Sequence, residues 1–280
     1  MRVENPAAVD VFLDEYSRDY MIARYLSRTA GAGVGYALTN VYAPVYRSLV
    51  RSLIMQRPKQ HKFRILEYGC GGGMNLLKII DLFREQRAEV ETAIGTDFSP
   101  RMIDAAQEEA KRNLPADLQK KIRFAVARNE TLAQDLATDL GSSQDALERS
   151  FDIVLGVNTF RYCYRLNKGI DCARDIFKLL TPGGYSVMID MNRRFPLFRS
   201  RIPDMLRRPK HEYYLPSLEE YTRPFRLAGF TIRERRNFCW VPHSAKPSLV
   251  AVCRTLSPIL DRCCSPFAMR SLVVAQRPTS

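Results

Sequence analysis

The 280-residue sequence has no apolar run long enough to cross a membrane, and its first residues lack the apolar segment of a secretory signal peptide. Histidine occurs only three times and tryptophan once. The seven cysteines follow neither a metal-ligand spacing nor the framework of a small disulfide-rich domain. These absences exclude a membrane-spanning protein, a zinc module and a disulfide-stabilised secreted domain. We therefore expect a reduced, cytoplasmic protein of enzyme size that holds no metal.

Positive charge is in excess and unevenly spread. The net charge is +13, and residues 183–280 carry 17 basic against 7 acidic residues. Such a surplus attracts a phosphate-bearing small molecule, an acidic lipid surface or nucleic acid. A solvated basic face that aids solubility explains it equally well.

The first 62 residues show helical rather than strand periodicity. Apolar residues recur at three- and four-residue steps over residues 8–28 and again before the polar stretch 57–62. Gly31, Gly33 and Gly35 separate the two patterns, and we predict a hinge or tight interhelical turn there. Residues 1–62 are thus expected to form a helical cap.

Strand and helix patterns alternate from residue 63 onward, which predicts a doubly wound α/β domain over residues 63–280 with a mostly parallel seven-stranded sheet. A basic segment, 193–216, and a capping segment, 239–268, are predicted insertions. The predicted strands are Phe63–Tyr68, Thr92–Thr96, Ile122–Ala127, Phe151–Val157, Tyr185–Met191, Phe230–Phe238 and Met269–Gln276.

A glycine-rich loop follows the first predicted strand and precedes a helix. Glu67, Gly69, Gly71 and Gly73 alternate with other residues in this loop. Glycines allow positive φ angles and close approach of a ligand, while a helix N-terminus offers free N–H groups. The dinucleotide fingerprint requires a third glycine where this chain has Met74. The loop therefore favours a nucleoside cofactor other than a dinucleotide.

This loop resembles that of class I S-adenosylmethionine-dependent methyltransferases. Further landmarks, in the family's order, are Asp97 after the second strand, the fourth strand Phe151–Val157, and the turn that ends in Gly229. The resemblance implies that S-adenosylmethionine is the cofactor, with its ribose hydroxyls on Asp97 and its adenine beside Phe98. The cofactor-binding residues it implies are Glu67, Gly69, Gly71, Gly73, Asp97, Phe98, Asn129 and Asn158.

One position departs from the family pattern. After the third strand the family usually carries an acidic residue followed by a small one beside the adenine, whereas this chain carries Arg128 and Asn129. The family's usual adenine contacts therefore do not carry over unchanged to this strand exit.

Three residues are candidates for the catalytic step. Arg161 and Tyr162 follow the fourth strand, where open α/β sheets bind their ligands. His243 lies in the capping segment, and its ordinary pKa near 6.5 suits a general base. Loop capping for Arg161 and Tyr162, and packing for His243, are the alternatives.

The predicted function is methyl transfer to a small-molecule or lipid-linked acceptor, an anionic one among the options, and peripheral membrane contact is compatible with it. One alternative is a nucleic-acid methyltransferase that uses the basic C-terminal third. The chain lacks, however, the Asn/Asp-Pro-Pro-Tyr/Phe motif after the fourth strand and any recognisable RNA-binding module. A module that binds the cofactor without catalysis is the second alternative.

Overall fold

The computed structural model of the protein describes residues 31–196 and 215–279, together with Ala23 and Ser27. The helix predicted over residues 8–28, apart from Ala23 and Ser27, and most of the basic segment 193–216 lie outside these ranges.

The described residues form a seven-stranded sheet with the order β3-β2-β1-β4-β5-β7-β6. Strands β1 to β5 pair in parallel, and β7 runs antiparallel to both of its neighbours. The prediction of a mostly parallel, seven-stranded sheet is confirmed. The strands are β1 Phe63–Tyr68, β2 Val90–Asp97, β3 Ile122–Val126, β4 Phe151–Val157, β5 Leu180–Met191, β6 Thr231–Phe238 and β7 Arg270–Gln276.

Helices cover both faces of the sheet, as a doubly wound fold requires. The helices α2 to α5 cover one face, and α6 and α8 to α10 cover the other. A π-helix, Ala37–Tyr42, joins α1 to α2. The helices are α1 Ala32–Tyr36, α2 Ala43–Gln56, α3 Met74–Glu85, α4 Pro100–Asn113, α5 Ala116–Gln119, α6 Leu132–Leu140, α7 Gln144–Leu147, α8 Phe160–Arg165, α9 Gly169–Leu179, α10 Leu218–Leu227 and α11 Pro247–Cys264.

The predicted glycine hinge is wrong. Gly33 and Gly35 lie inside α1, and the chain continues through the π-helix into α2. A Cβ atom on Gly33 would lie 2.2 Å from the carbonyl oxygen of Pro242, whereas one on Gly35 would meet nothing within 4 Å. Gly33 therefore serves close packing of α1 against the loop before α11 rather than a reversal of the chain.

Strand β5 begins five residues before the prediction. Phe151 pairs with Leu180 and Ile153 with Tyr185, so β5 bulges between these pairs. Gly183 in the bulge has a φ of +78°, which explains glycine at that position. Residues 117–119 lie in the short helix α5, and Gln144 begins the short helix α7.

Helix α11 lies within the predicted capping segment and buries none of its 18 residues. Its exposed apolar side chains include Leu249, Val252, Leu256 and Ile259. Among the described residues, no helix combines the length and apolar character that a membrane crossing needs.

Candidate functional site

Glu67 lies near the end of β1, at the carboxyl edge of the sheet. All of the strands β1 to β5 end at this edge. The side chain of Glu67 is buried, and Oε2 accepts a hydrogen bond from the backbone N–H of Leu76 at 2.8 Å. Oε1 has no hydrogen-bond partner among the described residues. Burial raises the pKa of Glu67 to about 8, against the opposing effect of the Leu76 N–H and the Asn75 side chain. Glu67 is therefore largely protonated at neutral pH.

The loop between β1 and α3 has a backbone that favours glycine. The φ angles of Gly69, Gly71 and Gly73 are +59°, +52° and +78°. A Cβ atom on Gly69 would lie 2.0 Å from Oγ1 of Thr159, so this glycine also permits close contact with the residue after β4. The loop thus brings the backbone of β1, α3 and the β4 exit together.

Asp97 ends β2 beside the same loop. Its Oδ2 accepts a hydrogen bond from the Gly71 N–H, and its Oδ1 accepts one from the Ser99 N–H, both at 3.0 Å. Burial raises the pKa of Asp97 to about 6, because desolvation outweighs these hydrogen bonds and one from the N–H of Phe98. Phe98 follows directly and is half-buried. Asp97 therefore fixes the loop and still carries lone pairs for ligand hydroxyls.

Thr159 lies between the two predicted asparagines: it follows Asn158 in the chain and binds the side chain of Asn129. The Asn129 side-chain N–H donates to Oγ1 of Thr159 at 2.6 Å. Asn158 has a φ of +59°, and its N–H donates to the carbonyl oxygen of Ile189 at 2.7 Å. Oδ1 of Asn158 is buried and has no partner among the described residues. Thr159, which the sequence did not single out, thus links the exits of β3 and β4 to Gly69.

Arg161 forms a buried ion pair at the end of β5. Its Nη1 donates to Oδ1 of Asp190 at 2.8 Å and to the carbonyl oxygen of Asn158 at 2.6 Å. Its Nη2 donates to the hydroxyl of Tyr162 at 2.9 Å, and the guanidinium lies 4.5 Å from the centre of that ring. The two candidate residues after β4 are therefore in contact with each other and anchored to β5.

His243 lies at a different place along the carboxyl edge, half-buried between the N-terminal helices and β7. Its Nε2 lies 3.1 Å from the hydroxyl of Tyr42 and 3.2 Å from Nη2 of Arg270. Because arginine only donates, Nε2 is unprotonated and the ring is neutral. Burial and the positive charges of Arg270 and Arg161 hold the pKa of His243 well below its usual value.

A chain of contacts joins His243 to the glycine loop. Tyr42 and Tyr46 are separated by about one helical turn, and the hydroxyl of Tyr46 donates to Oδ1 of Asn75 at 3.1 Å. Asn75 in turn contacts Glu67. Tyr42 and Arg270 carry no sequence motif, and only the fold brings them to His243. We call the ends of β5 and β6, the start of β7 and this histidine the acceptor end.

The sheet order, with β7 inserted antiparallel, and two carboxyl groups at a glycine loop define an α/β enzyme of the nucleoside-cofactor type. A sequence model of the family described as "Methyltransferase domain" matches residues 59–226. The chain belongs to this family, the class I S-adenosylmethionine-dependent methyltransferases.

Solved structures with the same fold are distant in sequence. The citrinin polyketide synthase CMeT domain is 18% identical with a TM-score of 0.57, over 95% of this chain and 58% of that one. An S-adenosylmethionine-dependent methyltransferase from Mesorhizobium loti is 17% identical with a TM-score of 0.52, over 81% of this chain and 96% of that one. At these identities the likeness concerns the fold. A search of curated protein sequences gave no significant match.

Proposed function

We propose that the protein binds S-adenosylmethionine at the carboxyl ends of β1 to β4 and transfers its methyl group to a small-molecule acceptor at the acceptor end. The observation that carries the proposal is the pair of buried carboxyl groups, Glu67 and Asp97, at one glycine loop. When bound, S-adenosylmethionine supplies a methyl group on a positively charged sulfur, which a nucleophile displaces in line.

The two carboxyl groups suit this ligand better than a dinucleotide. Oε1 of Glu67 is buried without a partner among the described residues, so a positively charged or hydrogen-bonding ligand group would compensate for its desolvation. The carboxyl oxygens of Asp97 accept hydrogen bonds, which suits ribose hydroxyls. A pyrophosphate at the same loop would face the carboxylate of Asp97, and like charges repel.

The acceptor end supports a small acceptor. The buried rings of Tyr42 and Phe238 and the half-buried ring of His243 line it, with ring centres 6.0 Å apart for Tyr42 and Phe238. Enclosure keeps water from the reacting atoms. The lowered pKa of His243 and the Arg270 N–H on its Nε2 make it a weak base, so the proposal assigns it the positioning of the acceptor rather than removal of a proton. Arg161 and Tyr162 position the acceptor from the β4 side.

Calorimetric titration with S-adenosylhomocysteine and with NAD tests the cofactor assignment. We expect binding of the former, weakened by about 1.5–3 kcal/mol in Asp97→Asn through loss of charge-assisted hydrogen bonds. Asp104→Asn is the matched control, because Asp104 is exposed on the adjacent helix α4. Tight NAD binding without a response to S-adenosylhomocysteine would contradict the proposal.

The acceptor class is tested by incubating cell extracts with the protein and a methyl-labelled donor, followed by mass spectrometry. We expect the label in small molecules. Label found mainly in RNA would instead support the nucleic-acid alternative, and cofactor binding without labelled product would support the non-catalytic one.

A further inference from the structure

Arg270 is a buried cation that the fold leaves only partly bonded. It is the first residue of β7, it pairs with Met191 on β5 and Phe238 on β6, and it is 4% exposed. Its Nη2 donates to Nε2 of His243. Its Nε and Nη1 are buried and have no partner among the described residues. N–H donors of a guanidinium therefore remain for a ligand at the acceptor end.

The charges around Arg270 do not balance. Asp190 is a buried carboxylate close to Arg270. The charges of both residues act on the pKa of Tyr42. Both oxygens of Asp190, however, are occupied by Arg161, whose N–H donates to Oδ2 and whose Nη1 donates to Oδ1. His243 is neutral. Within residues 31–196 and 215–279, two guanidinium groups and one carboxylate thus leave one positive charge at the acceptor end uncompensated.

We infer that Arg270 binds a singly charged oxygen anion of the methyl acceptor, a carboxylate or a phenolate-type oxygen, inside the acceptor end. This inference rests on the proposed function and names its substrate class. A buried cation with unpaired N–H groups is costly, and a bound monoanion restores both its charge balance and its hydrogen bonds.

Other ligands fit this position less well. A neutral acceptor would leave the positive charge uncompensated, and a phosphate dianion would bring one negative charge too many. The hydroxyl of Tyr42, which lies beside His243, adds a further neutral hydrogen-bonding group for the same oxygen. The surplus of one charge therefore selects a monoanion.

Three probes with one aromatic ring separate these anions: benzoate, 4-nitrophenolate and phenyl phosphate. Each is titrated calorimetrically into the wild-type protein, both with saturating S-adenosylhomocysteine and without it. We expect benzoate or 4-nitrophenolate to bind more tightly than phenyl phosphate. Arg270→Gln should weaken that binding roughly ten- to hundredfold, the loss that follows removal of charge-assisted hydrogen bonds. Its affinity for S-adenosylhomocysteine should not change.

Arg236→Gln is the matched control. Its guanidinium is exposed on β6 and lies 5.2 Å from the ring centre of Phe238, so it removes the same charge near the acceptor end but outside it. We expect Arg236→Gln to bind the probes like the wild type. If Arg270→Gln does not fold, Arg270→Lys replaces it, and a wild-type crystal soaked with 4-bromobenzoate locates the anion by the anomalous signal of bromine.

Three results of the anion-binding experiments would overturn the inference. They are wild-type protein that binds neither monoanion, an Arg270 variant that binds them unchanged, and a bromobenzoate ring located away from Arg270. Loss of S-adenosylhomocysteine affinity in the Arg270 variant would also overturn it, because the guanidinium would then serve the cofactor. A wild-type protein that fails to bind S-adenosylhomocysteine contradicts the proposed function instead, and the probe titrations without it still report on Arg270.

Discussion

Arg161 and Asp190 are joined twice, once through the backbone N–H of Arg161 to Oδ2 at 2.9 Å and once through Nη1 to Oδ1 at 2.8 Å. The side chain of Asp190 is fully buried. The pair fastens the residue after β4 to the end of β5, and it uses both carboxylate oxygens. Asp190 therefore compensates the charge of Arg161, and Arg270 is the buried arginine at the acceptor end that remains available to a ligand.

Removing one partner of this pair should destabilise the protein strongly. We expect Asp190→Ala to lower the free energy of unfolding by about 3–5 kcal/mol, because it leaves Arg161 buried without a counter-charge. Denaturant unfolding followed by circular dichroism measures this. In the exposed pair of Asp81 and Arg84, Asp81→Ala should change stability by less than about 1 kcal/mol. Equal effects of the two changes would show that burial of the pair is unimportant.

Cofactor binding should release a proton from Glu67. Its pKa is raised to about 8 in the folded protein, so it is protonated at pH 7. A positively charged ligand nearby lowers that pKa, and up to about one proton leaves on binding. Titration with S-adenosylmethionine in buffers of different ionisation enthalpy measures the release. Glu67→Gln should abolish it, and Glu85→Gln, at the exposed end of α3, should not.

The raised pKa of Glu67 also makes the free energy of unfolding of the ligand-free protein depend on pH. Between the unfolded pKa of Glu67 near 4.5 and about 8, the folded state binds more protons than the unfolded state. The free energy of unfolding therefore falls as pH rises through this window, and we expect Glu67→Gln to make it fall less. A pH series of denaturant unfolding curves compares the two, and identical slopes would contradict the raised pKa.

Two glycines of α1 should respond oppositely to alanine. Gly35→Ala should stabilise the protein by up to about 1 kcal/mol, because alanine favours helix and nothing lies within 4 Å of the new Cβ. Gly33→Ala should destabilise it by about 1–3 kcal/mol, since the Cβ would overlap the carbonyl oxygen of Pro242. Thermal unfolding measures both. Equal shifts would contradict the close packing of α1 against this loop.

The salt dependence of the acceptor KM should distinguish a role of the basic segment 193–216 from a role of Arg270. If Arg207, Arg208 and Lys210 recruit an anionic acceptor, their joint replacement by Gln should raise the acceptor KM several-fold and flatten its salt dependence. Screening shortens the reach of exposed charges from ~10 Å at 0.1 M salt to ~3 Å at 1 M. Arg270→Gln should raise KM at both salt concentrations, because a buried charge is screened far less. An unchanged KM and salt slope in the triple variant would identify the segment as a solvated face.

The clustering of Glu67, the glycine loop and Asp97 could be predicted because its signals are local. Glu67, the glycines and Asp97 each stand beside a strand end within a short stretch of sequence, and the parallel sheet brings consecutive strand ends to one edge. The hinge prediction failed because Gly33 is required by residue 242, which no local pattern reveals.

The acceptor half could not be predicted in the same way. Tyr42 and His243 are 201 positions apart, and in the sequence Tyr42 is one more apolar position on a helix. Arg270 is one basic residue among many in a positively charged region, and its burial follows only from the insertion of β7 between β5 and β6. Long-range packing, not residue type, creates this part of the site.

The position of β7 also determines the order in which the sheet can form during synthesis. N-terminal parts of a chain fold first as it is made. Strands β1 to β5 can pair with one another as they emerge, but among the described strands β6 pairs only with β7, which follows it in sequence. Until β7 is made, β5 presents an open edge, which is prone to association with other chains. The nascent protein thus completes the side of the sheet that carries the glycine loop first, and the arrival of β7 both closes the sheet and brings Arg270 to His243.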